Sequence, residues 1–89
     1  MENYKIFIRK VASDELARIP KKDGARIVNR IRSLAIDPRP RGAEKLSARG
    51  SLRIRQGDYR IIYNIDEKVR MVAVEKVGHR REIYRKLGA

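Results

Sequence analysis

The segment Leu52 to Tyr63, Leu-Arg-Ile-Arg-Gln-Gly-Asp-Tyr-Arg-Ile-Ile-Tyr, constrains the fold more tightly than any other part of this 89-residue chain. Leu52 to Gln56 alternates apolar and cationic residues, the period-two signature of a strand with one dry and one wet face. Gly57-Asp58 suits a tight hairpin turn, because glycine tolerates the positive φ that such turns need. A two-residue turn then fixes the register: Gln56 opposes Tyr59, Arg55 opposes Arg60, and Ile54 opposes Ile61. Arg53 lies two residues from Arg55 on the same face. Like charges directly opposite on neighbouring strands repel each other, so a face gathering Arg53, Arg55 and Arg60 stores positive charge. Unless Glu75 or another carboxylate neutralises it, the expected complement is an anion from outside. The structural alternative is a solvated face whose arginines keep the sheet from aggregating.

Net charge points the same way. Twenty-three basic residues against eleven acidic give +12. The excess is spread along the chain, with thirteen basic and six acidic residues in 1–50 and ten and five in 51–89. A small domain this basic binds polyanions through phosphate contacts and counterion release. Nucleic acid or the ribosome is the first expected partner and an acidic protein the second. With 42% hydrophobic and 38% charged residues, the chain suits one small core, read as a single domain over 1–89, rather than a membrane span or a disordered segment. No apolar run approaches the length of a membrane span, and residues 3–9 are too short and polar for a signal sequence. The absence of cysteine removes disulfides and thiolate metal sites and fits a reducing cytoplasm.

The remaining elements follow from local pattern. Tyr4 to Arg9 reads as a strand by its Tyr, Ile and Phe content. Val11 to Ile19 reads as a short helix with Val11, Ala12, Leu16 and Ile19 on one side, ended by Pro20. Lys21 to Gly24 is then a connector. A second helix from about Gly24 to Ala35 carries Ile27, Val28, Ile31, Leu34 and Ala35 inward, with Arg26, Arg30 and Arg32 on a solvated outer face. Asp37 to Gly42, with two prolines, is a loop. Ala43 to Ala48 suggests a helical turn burying Leu46. Tyr59 to Ile65 is apolar on both faces and so central. Val69 to Lys76 is the next strand, ended by Gly78, and Glu82 to Leu87 is either a strand or a helical turn. The expected class is α+β: an N-terminal strand, a two-helix hairpin, then an antiparallel meander completing one curved sheet with the helices on one face.

The scattered carboxylates form no acid/base pair. Metal hydrolysis is poorly supported, no glycine-rich phosphate loop is present, and no cofactor is expected. A cationic constellation remains, Arg53, Arg55, Arg60, Arg80 and Arg81, with His79 and Tyr84. Here Gly57-Asp58-Tyr59-Arg60-Ile61-Ile62-Tyr63, followed by Lys76-Val77-Gly78-His79-Arg80-Arg81-Glu82-Ile83-Tyr84, resembles the RelE/ParE superfamily of toxin components, the RelE branch being nearer. The resemblance covers nearly the whole chain. It implies a toxin of a type II toxin–antitoxin system that cuts messenger RNA on the ribosome without metal, the RNA's own 2′-hydroxyl attacking the adjacent phosphate. It maps catalytic roles onto Arg53, Arg55, Arg60, Arg80 and Tyr84, and RNA contacts onto Lys45, His79 and Arg81. It also implies an acidic RelB-like antitoxin in a tight hetero-oligomer.

Those roles suit the residues. Arginine forks clamp a phosphate in two places and offset charge in the transition state, and a tyrosine stacks on an unpaired base. Some family members carry lysines where this chain has Arg53 and Arg55. Arginine holds its proton too firmly to act as a base, so His79 or Tyr84 takes that part, or positioning and charge stabilisation dominate. The rival readings are a ParE-like, non-catalytic inhibitor of a DNA topoisomerase (gyrase) and an inactive nucleic-acid-binding relative.

Overall fold

The central hairpin forms as expected in the structure, a computed structural model describing residues 3–46 and 50–79. The elements in chain order are β1 (Lys5–Ile8), α1 (Lys10–Ala17), α2 (Lys21–Ser33), β2 (Glu44–Lys45), β3 (Leu52–Gln56), β4 (Tyr59–Asp66) and β5 (Met71–His79). Gly57 sits at φ +60°, the left-handed geometry that a tight hairpin turn asks of glycine. Arg55 stands opposite Arg60 and Gln56 opposite Tyr59.

Strand order is β1-β5-β4-β3-β2. All pairings are antiparallel except β1 with β5, which is parallel. The helices occupy the crossover from β1 and pack on one face, giving an open, mixed α+β sheet. Ala12, Ile27 and Ile31 from the helices, with Leu34 at the C-cap of α2, meet Ile54, Ile61, Tyr63, Val72, Val74 and Val77 from β3, β4 and β5, all buried in one cluster. Tyr63 is the largest fully buried side chain. Burial pushes its phenol up to about 12, so it stays a neutral donor, and its hydroxyl donates to the Pro38 carbonyl at 2.7 Å. That bond pins the proline loop under the sheet.

Two irregularities shape β5. Ile62 pairs with Lys76 and Tyr63 with Val74, which leaves Glu75 as the extra residue of a β-bulge. Inward positions therefore change from even (Val72, Val74) to odd (Val77, His79). β1 also ends at Ile8, opposite Val74, so β5 continues without a strand neighbour on that side. The Glu15 carboxylate of α1 fills the gap, accepting the Val77 N–H at 3.0 Å and pairing with Lys76 at 3.3 Å.

Several expectations are corrected. The Ala43–Ala48 helical turn is instead the short strand β2, whose backbone pairs with β3; Ser47 and Ala48 lie outside the described residues. Lys21–Gly24 is no connector but the first turn of α2, with Pro20 as its N-cap, where a missing N–H and fixed φ are tolerated. Val11 is 54% exposed rather than inward. Gly78 does not end β5, which runs through to His79. The question of strand or helix over Glu82–Leu87 falls outside the described residues.

Candidate nucleic-acid interface

Alternation along β3 and β4 sends Leu52, Ile54, Tyr59, Ile61 and Tyr63 toward the helices and Arg53, Arg55 and Arg60 to the opposite, open face. The three arginines differ in state. Arg53 is not the uncompensated charge the sequence suggests: its guanidinium donates to Glu44 on β2, directly across the register. That neutralisation comes from a strand that local pattern does not reveal. Glu75, the other candidate counter-charge, is engaged by Arg9 at 2.8 Å, and Arg9 also lies over the Phe7 ring.

Arg60 is the one buried charged side chain among the described residues, 7% exposed. Its Nη1 makes a long contact of 3.5 Å to the Tyr59 carbonyl, and its buried Nε has no hydrogen-bond partner. No described carboxylate pairs with it. Gly78 stands directly opposite on β5 and sets no side chain against it. On the other flank stands Arg55, exposed and likewise without an ion pair among the described residues. Burying a guanidinium without a counter-charge is costly, and a second cation opposite adds to that cost. The arrangement is complementary to an anion.

The structure separates the other candidates from this pair. Lys45 opposes Leu52, which places it on the helix side of the sheet at the outer edge. His79 opposes Tyr59, also on the helix side, with the two rings edge-on at 6.0 Å between centroids. His79 and Arg60 thus occupy opposite faces, because the bulge at Glu75 shifts the phase of β5. Arg80, Arg81 and Tyr84 lie outside the described residues.

Among the described residues, two concavities flank the sheet. One, of about 330 Å³, lies on the helix side at the hairpin tip, lined by Asp23, Arg26, Gln56, Asp58, Tyr59 and His79 among others. Arg26, read from the sequence as part of a solvated face, belongs to it. The other, of about 680 Å³, lies at the far end of the open face beside Arg9, Asn64, Glu67 and Glu75. There Glu67 accepts the Tyr4 hydroxyl and an Arg39 N–H, each at 2.7 Å. These bonds, Tyr4 first, hold the Glu67 carboxyl below its ordinary value. The same contact raises the Tyr4 phenol. Among the described residues, no three His, Cys, Asp or Glu side chains gather to hold a metal ion. No described helix is long and apolar enough to cross a membrane.

An open mixed sheet with two helices on one face is a fold shared with solved toxin structures. The chain is similar to a chain of the toxin–antitoxin complex RelBE2 from Mycobacterium tuberculosis, at 27% identity over 88% of this chain and 99% of that one, with a TM-score of 0.78. It is similar to a chain of the archaeal RelE–RelB complex from Pyrococcus horikoshii, at 25% identity over 90% and 98%, with a TM-score of 0.76. A mutant Escherichia coli toxin RelE in the free state shares the fold at a TM-score of 0.81 and 17% identity, over 99% of this chain and 93% of that one. The search of curated proteins gave no match. A family model described as the ParE toxin of type II toxin-antitoxin system, parDE, matches residues 6–84. The chain belongs to that family, and with it to the RelE/ParE toxin superfamily.

Proposed function

We propose that the protein is a ribosome-dependent endoribonuclease that inhibits translation by cutting messenger RNA without a metal ion. The observation that carries this reading is Arg60, buried on the open face with its Nε unpartnered and Arg55 opposite. A scissile phosphate supplies the missing negative charge. The 2′-hydroxyl of the RNA attacks the adjacent phosphorus while the bond to the next nucleotide's 5′-oxygen breaks, leaving a 2′,3′-cyclic phosphate and a 5′-hydroxyl. One proton leaves the attacking hydroxyl and one reaches the departing oxygen. Arg55 and Arg60 offset the charge on the non-bridging oxygens, Arg53 adds to the field beside its Glu44 partner, and the resemblance assigns Arg80 and Tyr84 to the same site. His79, on the other face, is no base for a phosphate held at Arg60.

Single-turnover cleavage on programmed ribosomes tests this. Removing a donor aimed at transition-state charge costs on the order of 10²–10³ in rate, so Arg60→Ala nearly abolishes cleavage while ribosome binding survives. Wild-type rates in Arg60→Ala would refute the assignment.

A second reading is supported by the family model itself, which is that of ParE toxins: a non-catalytic inhibitor of a DNA topoisomerase. Growth arrest by a wild-type chain that never cleaves RNA would favour it. Under either reading an acidic antitoxin is the proposed partner, since the mycobacterial and archaeal matches are toxin–antitoxin complexes and this chain carries +12. Such a partner covers the face bearing Arg53, Arg55 and Arg60, burying well over ~1,200 Å² in a stable complex.

A further inference from the structure

The cleft on the helix side of the hairpin tip differs from the far-end cavity in leaving its charges unengaged among the described residues. It gathers two carboxylates, Asp23 and Asp58, with one guanidinium, Arg26, the Gln56 amide, and the Tyr59 and His79 rings. Asp23, Arg26, Gln56 and Asp58 make no ion pair or side-chain hydrogen bond among the described residues, whereas the carboxylates of Glu15, Glu44, Glu67 and Glu75 are all engaged.

We propose that this cleft is a subsite for one unpaired guanine of an RNA strand, an inference that rests on the RNA reading above. Its volume of about 330 Å³ is at the lower end for small-molecule sites, enough for one nucleoside and too little for an oligonucleotide. Two carboxylates repel a phosphate, so the base enters and the backbone stays outside. Among the four bases, guanine alone joins two adjacent donors, N1–H and the N2 amino group, to two adjacent acceptors, O6 and N7. A carboxylate accepts from the first pair and an arginine fork donates to the second. Tyrosine and histidine rings are the usual apolar walls for a base turned out of its strand. The cleft and the Arg55–Arg60 pair lie on opposite sides of one two-residue turn, so a strand rounding the hairpin tip presents a base to one and a phosphate to the other.

The test titrates the full-length chain with the 5′-monophosphates of guanosine, adenosine, cytidine and uridine, following the amide resonances of Gln56, Gly57 and Asp58. The guanine nucleotide shifts these signals and binds with roughly tenfold preference over the other three, the scale of one good bidentate base contact. Arg26→Ala, which places a strong helix former on α2, and Asp58→Asn, at an exposed turn position, each lower that affinity by a similar factor. Lys68→Ala, in the turn at the far end of the sheet, leaves it unchanged. Equal response to all four nucleotides, or shifts confined to Arg55 and Arg60, overturns the proposal. A chain that binds guanine nucleotide at the tip without cleaving RNA defeats only the ribonuclease reading; cleavage without such binding defeats only this one. With a cleaving chain, Asp58→Asn identifies the source: slower cutting only of messages with guanine near the cut points to messenger RNA, and slower cutting of every message points to ribosomal RNA.

Discussion

The two faces of the sheet are built from alternate residues of the same strands, yet their side chains face opposite problems. On the helix side, Ile54, Ile61, Tyr63, Val72 and Val74 are buried against α1 and α2, and the buried Tyr63 hydroxyl has its acceptor. On the open side, Arg60 is as inaccessible as a core residue but has no counter-charge among the described residues. Under the proposed ribonuclease reading, adjacent positions on β4 separate folding from function. A side chain that lowers stability where it stands is tolerated where its charge has a use outside the fold.

The sharpest way to break this contrast is to replace Arg60 with an apolar side chain of similar length. Arg60→Met is expected to lower cleavage by on the order of 10²–10³ while raising stability to urea, because an uncompensated buried charge is removed. A fall in both would make Arg60 a structural residue. Its neighbour should behave in the opposite way: Ile61→Ala costs about 2–5 kcal/mol of folding stability, measured by urea unfolding, with the cleavage rate of the folded fraction unchanged. His79→Ala comes next. A general base contributes about 10²–10⁴ in rate, and a loss on that scale would contradict the placement of His79 behind the sheet; a change of a few-fold in the chemical step is the expected result.

The smallest effect concerns the exposed cluster at the far end of the sheet. The folded Glu67 carboxyl titrates below its ordinary value because Tyr4 and Arg39 hydrogen-bond it, so its stabilising contribution is present above the unfolded value and fades as pH falls through the folded one. The raised Tyr4 phenol contributes below its unfolded value and loses that contribution as pH rises through the folded one. Urea midpoints of Glu67→Gln and wild type should differ near neutral pH and converge in acid; an equal gap at both would exclude the linkage.

The β3–β4 hairpin was legible to the residue because alternation and a two-residue turn leave no freedom in register. The inward face of α2 was legible for the same local reason. What escaped the sequence depends on partners far along the chain. Nothing near Glu44–Lys45 signals a strand, since two charged residues carry no apolar period, and without β2 the neutralisation of Arg53 is invisible. Lys21–Gly24 lacks apolar residues, so its helical state is decided by Pro20 ahead of it and Ile27 behind. Grouping His79 with the arginines rests on its place in the Lys76–Tyr84 motif, which carries no strand phase, and the bulge in β5 sends it to the helix side. The parallel pairing of β1 with β5 has no local signature.

That bulge also bears on how the sequence can change length. Without Glu75, β5 would read Met-Val-Ala-Val-Lys-Val-Gly-His, and Val72, Val74, Val77 and His79 would fall on one side of an uninterrupted strand. Glu75 is therefore an insertion that the sheet absorbs as a local kink, and deleting it leaves the apolar face in phase. Deleting Ala73 instead would throw part of β5 out of phase, turning Val74 outward and Glu75 inward, whereas deleting Lys76 leaves Met-Val-Ala-Val-Glu-Val-Gly-His, with the same alternation as losing Glu75. Within this strand, single-residue gaps among homologous sequences are expected at positions 75 and 76, where losing a residue exchanges one ion pair, Arg9–Glu75 or Glu15–Lys76, for a regular ladder.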